Sequence, residues 1–341
     1  MKKLLTFVSA ITAGAIGTAA ADVSVSGAGN FYFSSASGDK NVTTQDDTMS
    51  VAGGSVDFAM STVTNGVTVT MSASLTQDTD DATTVDAEDS AAAGGMSSLT
   101  FDNGSLKVSL GKLDNAGSGT GEGGDVSNFA STHASVHAAS TGVASASDSS
   151  IDGIADGNGI SISTSMGAAS IDATFVSSVG SGTNSYRTNA TTTGYASGYS
   201  LNVGFDLAGA AVNVAAGGSQ AKVTSAKNNT GMALEVSYPV SDALSLTVGG
   251  SNGTIAGADE DNVFITAAYT MDADTTLKIG VAEGDSTLAG SLDKATATTI
   301  NVTRALGGGV SVFAEYADIS NSDAGVDSSA SAVSVGTSVS F

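Results

Sequence analysis

Apolar and polar residues alternate with a period of two along most of the chain beyond Asp22. The final stretch is a clear example: Val333, Val335, Val339 and Phe341 are separated by small or polar residues. Successive side chains of a β-strand point to opposite faces, so this pattern predicts strands with one apolar face and one small polar face. We count sixteen such strands from about residue 22 to the closing strand at 330–341.

Short turns and longer polar loops alternate between these strands. Asn65-Gly66 joins two alternating segments and is the strongest hairpin signal in the chain, while Gly53-Gly54 predicts a β-bulge. The single proline, Pro239, lies in a predicted turn, as expected of a sheet without edge strands. Only helices and closed barrels satisfy every backbone polar group in hydrocarbon. The pattern therefore predicts an all-β fold, a transmembrane antiparallel β-barrel of about 16 strands.

The aromatic residues support a membrane location. Five aromatic residues are predicted on the apolar face, each at the short-turn end of its strand: Phe101, Phe205, Tyr238, Tyr269 and Phe341. Such a collection at one end is typical of the aromatic girdle at a membrane interface.

The first 21 residues have the features of a secretory signal peptide. Lys2 and Lys3 precede an apolar run that is too short for a membrane helix, and Ala19-Ala20-Ala21 offers a cleavage site. We therefore predict export, cleavage near Ala21, and a mature barrel at 22–341.

Composition and charge exclude several classes of protein. Disorder is disfavoured because the 41% hydrophobic content is arranged periodically. Binding to nucleic acid is disfavoured because 34 acidic residues against 11 basic ones would repel phosphate. We predict no enzyme and no metal centre: His133 and His137 lack a nearby Glu or Cys ligand, and the glycine-rich run 117–124 lacks the lysine of a phosphate-binding loop.

Acidic residues cluster in three predicted loops. The longest unpatterned stretch, 113–158, contains no Lys or Arg. Its candidate site residues are Asp114, Glu122, Asp125, Asp148, Asp152 and Asp156. These acidic side chains either create an electrostatic field that concentrates cations in a pore, or they simply face the solvent. Residues 77–95 and Asp259–Asp261 form the other clusters; calcium is a possible ligand of the acidic loops, although ordered ligand spacing is missing.

Strand parity also predicts which charged residues face the inside of the barrel. A Lys or Arg facing lipid at mid-membrane would cost about 2–4 kcal/mol, so charges belong in the inward positions. The predicted lumen-facing wall residues are Asp57, Lys107, Asp172, Glu235, Lys278 and Glu315.

The chain resembles the trimeric general porins of Gram-negative outer membranes over essentially its full length. The resemblance rests on the signal peptide, the strand count, the terminal Phe341, and sequence segments that combine a turn with strand residues, such as 235–246 and 268–277. It implies that 113–158 folds into the lumen as a constriction loop, that the protein is a homotrimer, and that Phe341 is an assembly signal. The chain departs from the family in having only Arg187 and Arg304, so the family's ring of wall arginines cannot be built.

Together these features predict an outer-membrane porin for passive diffusion of small hydrophilic solutes and ions, embedded in lipid and preferring cations. The alternative is a secreted or surface-attached, calcium-stabilised β-rich adhesin, which should show a fixed repeat that we do not find. A sugar-selective channel is disfavoured because most aromatic residues have outward parity.

Overall fold

The computed structural model is a closed barrel of sixteen antiparallel strands. It describes residues 22–38, 47–77, 93–122, 126–131, 134, 150–151, 154–179, 195–221, 227–255, 257–287, 293–323 and 326–341. The strands are β1 (Asp22–Gly38), β2 (Asp47–Thr64), β3 (Val67–Gln77), β4 (Ala93–Asp102), β5 (Leu106–Leu113), β6 (Gly157–Met166), β7 (Ala169–Val179), β8 (Tyr195–Leu207), β9 (Ala210–Ala221), β10 (Asn229–Pro239), β11 (Leu244–Ile255), β12 (Ala258–Thr270), β13 (Thr275–Ser286), β14 (Asp293–Gly307), β15 (Val310–Asp323) and β16 (Val326–Ser340).

Each strand pairs with its neighbours in sequence, and β1 closes the sheet by pairing with β16. The predicted fold class and strand number are confirmed. No helix within the described ranges is long and apolar enough to cross a membrane.

The closing pair of strands meets at the chain terminus. The Gly27 N–H donates to the Phe341 carbonyl at 3.0 Å, and the Phe341 N–H donates back to the Gly27 carbonyl at the same distance. A β-carbon built on Gly27 would lie 2.6 Å from the Phe341 ring and 2.7 Å from the Ser55 carbonyl oxygen. Gly27 therefore leaves the space in which the terminal ring lies.

Local backbone features agree with the turn chemistry of the sequence. Asn65 and Gly66 both have positive φ, at 53° and 78°, as a tight hairpin turn requires. The predicted bulge is present, because Gly29 pairs with Gly54 while Asn30 pairs with Ala52. Pro239 is the last residue of β10 rather than part of the turn, and it sits where the ladder ends.

The outward face carries a band of exposed apolar side chains. Val236 and Val248 face outward in the middle of the band, and Phe101, Tyr238, Tyr269 and Phe341 are exposed at its short-turn end. This alternation produces the lipid-facing surface that a membrane barrel needs.

The turn between β12 and β13 is held by polar contacts outside the spanning strands. The Asp274 N–H donates to the Asp272 carboxylate at 2.9 Å, and Arg304 Nη1 lies 3.7 Å from the other carboxylate oxygen. The backbone hydrogen bond from Asp274, helped by Thr275 and the Arg304 charge, lowers the pKa of Asp272.

Closure at the terminus can be tested with two glycines of β1. We expect Gly27→Val to reduce assembly strongly, because the new side chain would displace the Phe341 ring and the Ser55 backbone. Gly29→Val is the matched control, since no atom lies within 4 Å of a β-carbon built there. Heat-modifiable migration of outer-membrane fractions on a denaturing gel measures the folded fraction, and equal yields of the two variants would contradict this account of closure.

Candidate functional site: the loop inside the barrel

The described residues of the segment between β5 and β6, which we call the loop, lie inside the barrel. Its described residues form hydrogen bonds with inward-facing side chains of β7, β8, β11, β12, β14 and β15. The prediction that this loop enters the lumen is confirmed by these contacts.

The two ends of the loop meet at the wall. The Asn115 N–H donates to the Asp156 carboxylate at 2.8 Å, which joins the outgoing and returning arms. Next to this contact, the Ala116 N–H donates to Ser200 Oγ at 2.7 Å, and Thr174 Oγ1 donates to the Asp114 carbonyl at 3.3 Å. The loop is therefore fixed to β7 and β8 at its root.

The outgoing arm then follows the wall toward β15. Asn262 Nδ2 donates to the Gly121 carbonyl at 3.1 Å, and the Gly121 N–H bonds to the Glu235 carboxylate. Farther along, the Val126 N–H donates to Thr299 Oγ1 at 3.0 Å. The arm is thus held through its backbone, by wall side chains that supply the matching donor or acceptor.

Glu315 of β15 anchors the far end of the loop. Its carboxylate accepts hydrogen bonds from the N–H groups of Asn128, Phe129 and Ala130, at 3.2, 2.9 and 3.3 Å. Ser127 Oγ and Asn301 Nδ2 also donate to it, at 3.3 and 2.9 Å. Only 4% of Glu315 is exposed. A carboxylate taken out of water requires such a set of donors, so loop and carboxylate stabilise each other.

An aromatic stack adds an apolar contact at the same place. The Phe129 ring lies between Tyr32 of β1 and Phe313 of β15, with ring centroids 4.1 and 5.2 Å away. Ala130 and Ala134 pack beside it against inward alanines, among them Ala317 and Ala332. Stacked rings contribute about 0.5–1.5 kcal/mol beyond the burial of their area.

The returning arm lies on three wall glycines, Gly217, Gly231 and Gly253, which we call the glycine groove. A β-carbon on Gly231 would lie 2.5 Å from the Ser150 carbonyl oxygen, and one on Gly217 would lie 2.8 Å from Ile154. Ile151 and Ile154 are fully buried against wall residues such as Ala215 and Ala233. The absence of side chains in the groove lets the loop pack directly on the wall backbone.

The predicted acidic residues of the loop are only partly within the described chain. Asp114 is exposed, and Glu122 and Asp156 are half-buried. Asp125, Asp148 and Asp152 lie outside the described residues, as do His133 and His137. Asp156 serves in the root contact with Asn115. The structure thus brings Asp114 and Asp156 together at the loop root.

The six predicted wall residues differ in their surroundings. Glu235 and Glu315 bond to the loop backbone, a role that sequence reasoning missed because backbone donors carry no residue signature. Asp57 accepts a hydrogen bond from Ser55 Oγ at 3.3 Å, and Asp172 is half-buried. Lys107 and Lys278 are exposed.

The sequence analysis also missed the aromatic residues Phe129 and Tyr32 and the apolar pair Ile151 and Ile154. The spacing of the two isoleucines within a polar stretch was a usable signal.

Among the residues that the structure describes, no group of three or more His, Cys, Asp or Glu side chains is placed to hold a metal ion. Most of the acidic loop 77–95, including Asp78 and Asp89, lies outside the described ranges. Calcium binding at the acidic loops therefore stays a prediction.

The anchor can be tested by comparing two charge-neutralising variants. Glu315→Gln should loosen the loop, because an amide NH₂ would face N–H donors and each donor left unpaired costs about 1–3 kcal/mol. Asp57→Asn removes the same charge without a loop contact in the described residues. We expect larger open-channel current fluctuations in single-channel recordings for Glu315→Gln only; equal noise in both variants would show that Glu315 does not hold the loop.

Comparison with known proteins places this architecture in a family. OmpF of Salmonella typhi, in complex with daunomycin, aligns with a TM-score of 0.68 at 10% identity, covering 94% of this chain and 97% of that one. An anion-selective porin from Comamonas acidovorans gives 0.63 at 13% identity, covering 94% and 100%. The trimer form of OmpT from Vibrio cholerae, an outer membrane protein, gives 0.63 at 13%, covering 94% and 99%. At these identities the likeness concerns the fold.

No curated protein sequence matches the chain significantly. A family model described as Gram-negative porin matches residues 6–324, which is nearly the whole sequence. With a closed barrel of sixteen strands and a loop folded into its lumen, the chain belongs to the Gram-negative porins of the outer membrane.

Proposed function

We propose that the protein forms a water-filled channel for passive diffusion of small hydrophilic solutes and prefers cations. The observation that carries the proposal is that the described residues of the loop between β5 and β6 are held against the inner wall by Glu315 and by the hydrogen bond that joins the two ends of the loop. A loop fixed in this way narrows the barrel without closing it, since sixteen strands leave room for an aqueous lumen.

The charge of the narrow region supports the preference for cations. On the wall, Asp57, Asp172, Glu235 and Glu315 outnumber Lys107 and Lys278, and the loop sequence 113–158 adds six acids and no base. A narrow passage with walls of one sign concentrates ions of the opposite sign. Solvation alone would favour acidic residues on the outer loops but not on the inner wall.

We further propose that the channel is a homotrimer in the outer membrane and that residues 1–21 are removed after export. The trimer form of the OmpT structure supports the first part, and the apolar run after Lys2 and Lys3 supports the second. The adhesin alternative gains no support from the family match.

Ion selectivity tests the proposal directly. In planar bilayers under a salt gradient, the zero-current potential should have the sign of cation preference. Replacing Asp114, Glu122, Asp125, Asp148, Asp152 and Asp156 by Asn or Gln should weaken that preference. The matched control neutralises the six acids of the outer loop, Asp78, Asp80, Asp81, Asp86, Glu88 and Asp89, whose charges are screened within about 8–10 Å at moderate salt. Anion preference of the unmodified protein, or equal effects of the two sets, would contradict the proposed field.

Loop shortening tests the constriction separately from its charge. Because Asn115 and Asp156 are hydrogen-bonded, a short Gly-Ser linker can replace the residues between Gly117 and Ile154 without separating the roots. We expect a clear rise in single-channel conductance, since the narrowest part is removed. Unchanged conductance in a folded variant would mean that the wall, rather than the loop, limits the current.

A further inference from the structure

A continuous row of hydroxyl side chains crosses the inner wall. Ser61 of β2 is directly paired with Thr70 of β3, and the same pairing row runs through β4, β5, β6, β7 and β8. We call these residues the hydroxyl arc: Ser61, Thr70, Thr100, Ser109, Ser161, Thr174 and Ser200.

The arc faces the lumen. Its members alternate along their strands with the apolar side chains of the outward band; Val69 and Met71, for example, flank Thr70. Directly opposed side chains in an antiparallel sheet have β-carbons about 4.5–5.5 Å apart, so neighbouring hydroxyls can contact the same small solute. Thr100 Oγ1 and Ser109 Oγ are already 2.9 Å apart in a hydrogen bond.

Five of the seven arc residues have no hydrogen bond to the described residues of the loop. The described loop contacts involve β1 and strands from β7 onward. Of the first five arc residues, on β2 to β6, Ser109 is buried, and Ser61, Thr70, Thr100 and Ser161 are half-buried on the lumen side. The last two, Thr174 and Ser200, bond to the loop root at Asp114 and Ala116.

An unsatisfied amide marks the end of the arc at the loop root. Asn115 lies between those two loop residues, and 3% of it is exposed. Neither its Nδ2 nor its Oδ1 has a hydrogen-bond partner within the described part of the chain. Buried polar groups are nearly always paired, so this amide has one donor and one acceptor group unused within the described residues, next to the arc. A hydroxyl group both donates and accepts a hydrogen bond.

We propose that the hydroxyl arc is a binding track for uncharged polyhydroxylated solutes such as small sugar alcohols, which it contacts through hydroxyl groups and not through the aromatic track expected of a sugar-selective channel. The inference rests on the proposed channel function and names a preferred solute class. A solute that enters the narrow region loses hydrating water. The arc replaces that water with uncharged hydroxyl groups, which donate and accept hydrogen bonds. A polyol uses several arc positions at once, whereas a solute with few hydroxyls uses few.

Swelling of proteoliposomes measures this preference. The probes are xylitol and triethylene glycol, which have nearly the same mass but differ in the number of hydroxyl groups. We expect the unmodified protein to admit xylitol faster relative to triethylene glycol than the double variant Thr70→Val, Thr100→Val does. These changes keep side-chain shape and remove two hydroxyls. The ratio of the xylitol rate to the triethylene glycol rate should fall about twofold or more, which is the lower end of what one lost hydrogen bond produces.

The matched control is Thr62→Val with Thr298→Val, which removes two hydroxyls from the outward face. It should keep the ratio of the unmodified protein. Ser61→Ala with Ser161→Ala is a milder arc variant that serves if the valine pair fails to assemble, as judged by heat-modifiable migration. An arc variant that assembles and keeps the ratio would overturn the binding track while leaving the channel intact. An unmodified protein that neither swells liposomes nor conducts ions would instead overturn the proposed function.

Discussion

Backbone N–H and C=O groups in hydrocarbon have no water to bond, and every other feature of this barrel depends on that constraint. Sixteen strands satisfy it only if the first and last pair with each other, which places Gly27 against Phe341 at the final residue of the chain. Once the ladder is closed, outward positions must be apolar and inward positions are free to be polar. The lumen is therefore the part of the wall that can carry specific chemistry.

The loop inside the lumen is held by several kinds of contact rather than by one. Backbone donors meet the Glu315 carboxylate, the Phe129 ring stacks between two wall aromatics, and Ile151 and Ile154 lie on the glycine groove. Each kind fixes a different section, so the loop is attached at its root, at its far end and along its returning arm. An attachment of this kind gives the passage a defined width even though the described part of the loop has little regular secondary structure.

Alternation and turn chemistry predicted the strand number, the hairpin at Asn65-Gly66 and the bulge near Gly53, because these follow from local side-chain periodicity. Strand extents were predicted less well. In the structure β1 continues to Gly38 and β16 begins at Val326. The pattern missed these ends because the outward positions beyond the apolar band are themselves polar, as at Ser35 and Ser37, so that the alternation disappears. The anchoring role of Glu315 could not be predicted, since its partners are N–H groups more than 180 residues away in sequence. The lumen-facing Tyr32 was hidden by the adjoining outward Phe31 and Phe33.

The position of Glu315 has a consequence for the order of assembly. The segment that it binds is made before β6, whereas the carboxylate arrives on β15, the next-to-last strand of the chain. Ser150 and Ile154 likewise need β9 to β11 to be in place. The loop can therefore make these contacts only when β9 to β11 and β15 are in place. A chain that ends before β15 would lack both β16, which closes the barrel, and Glu315, which anchors the loop. Such a truncated molecule would have an open sheet edge and a loop that is not fixed at its far end.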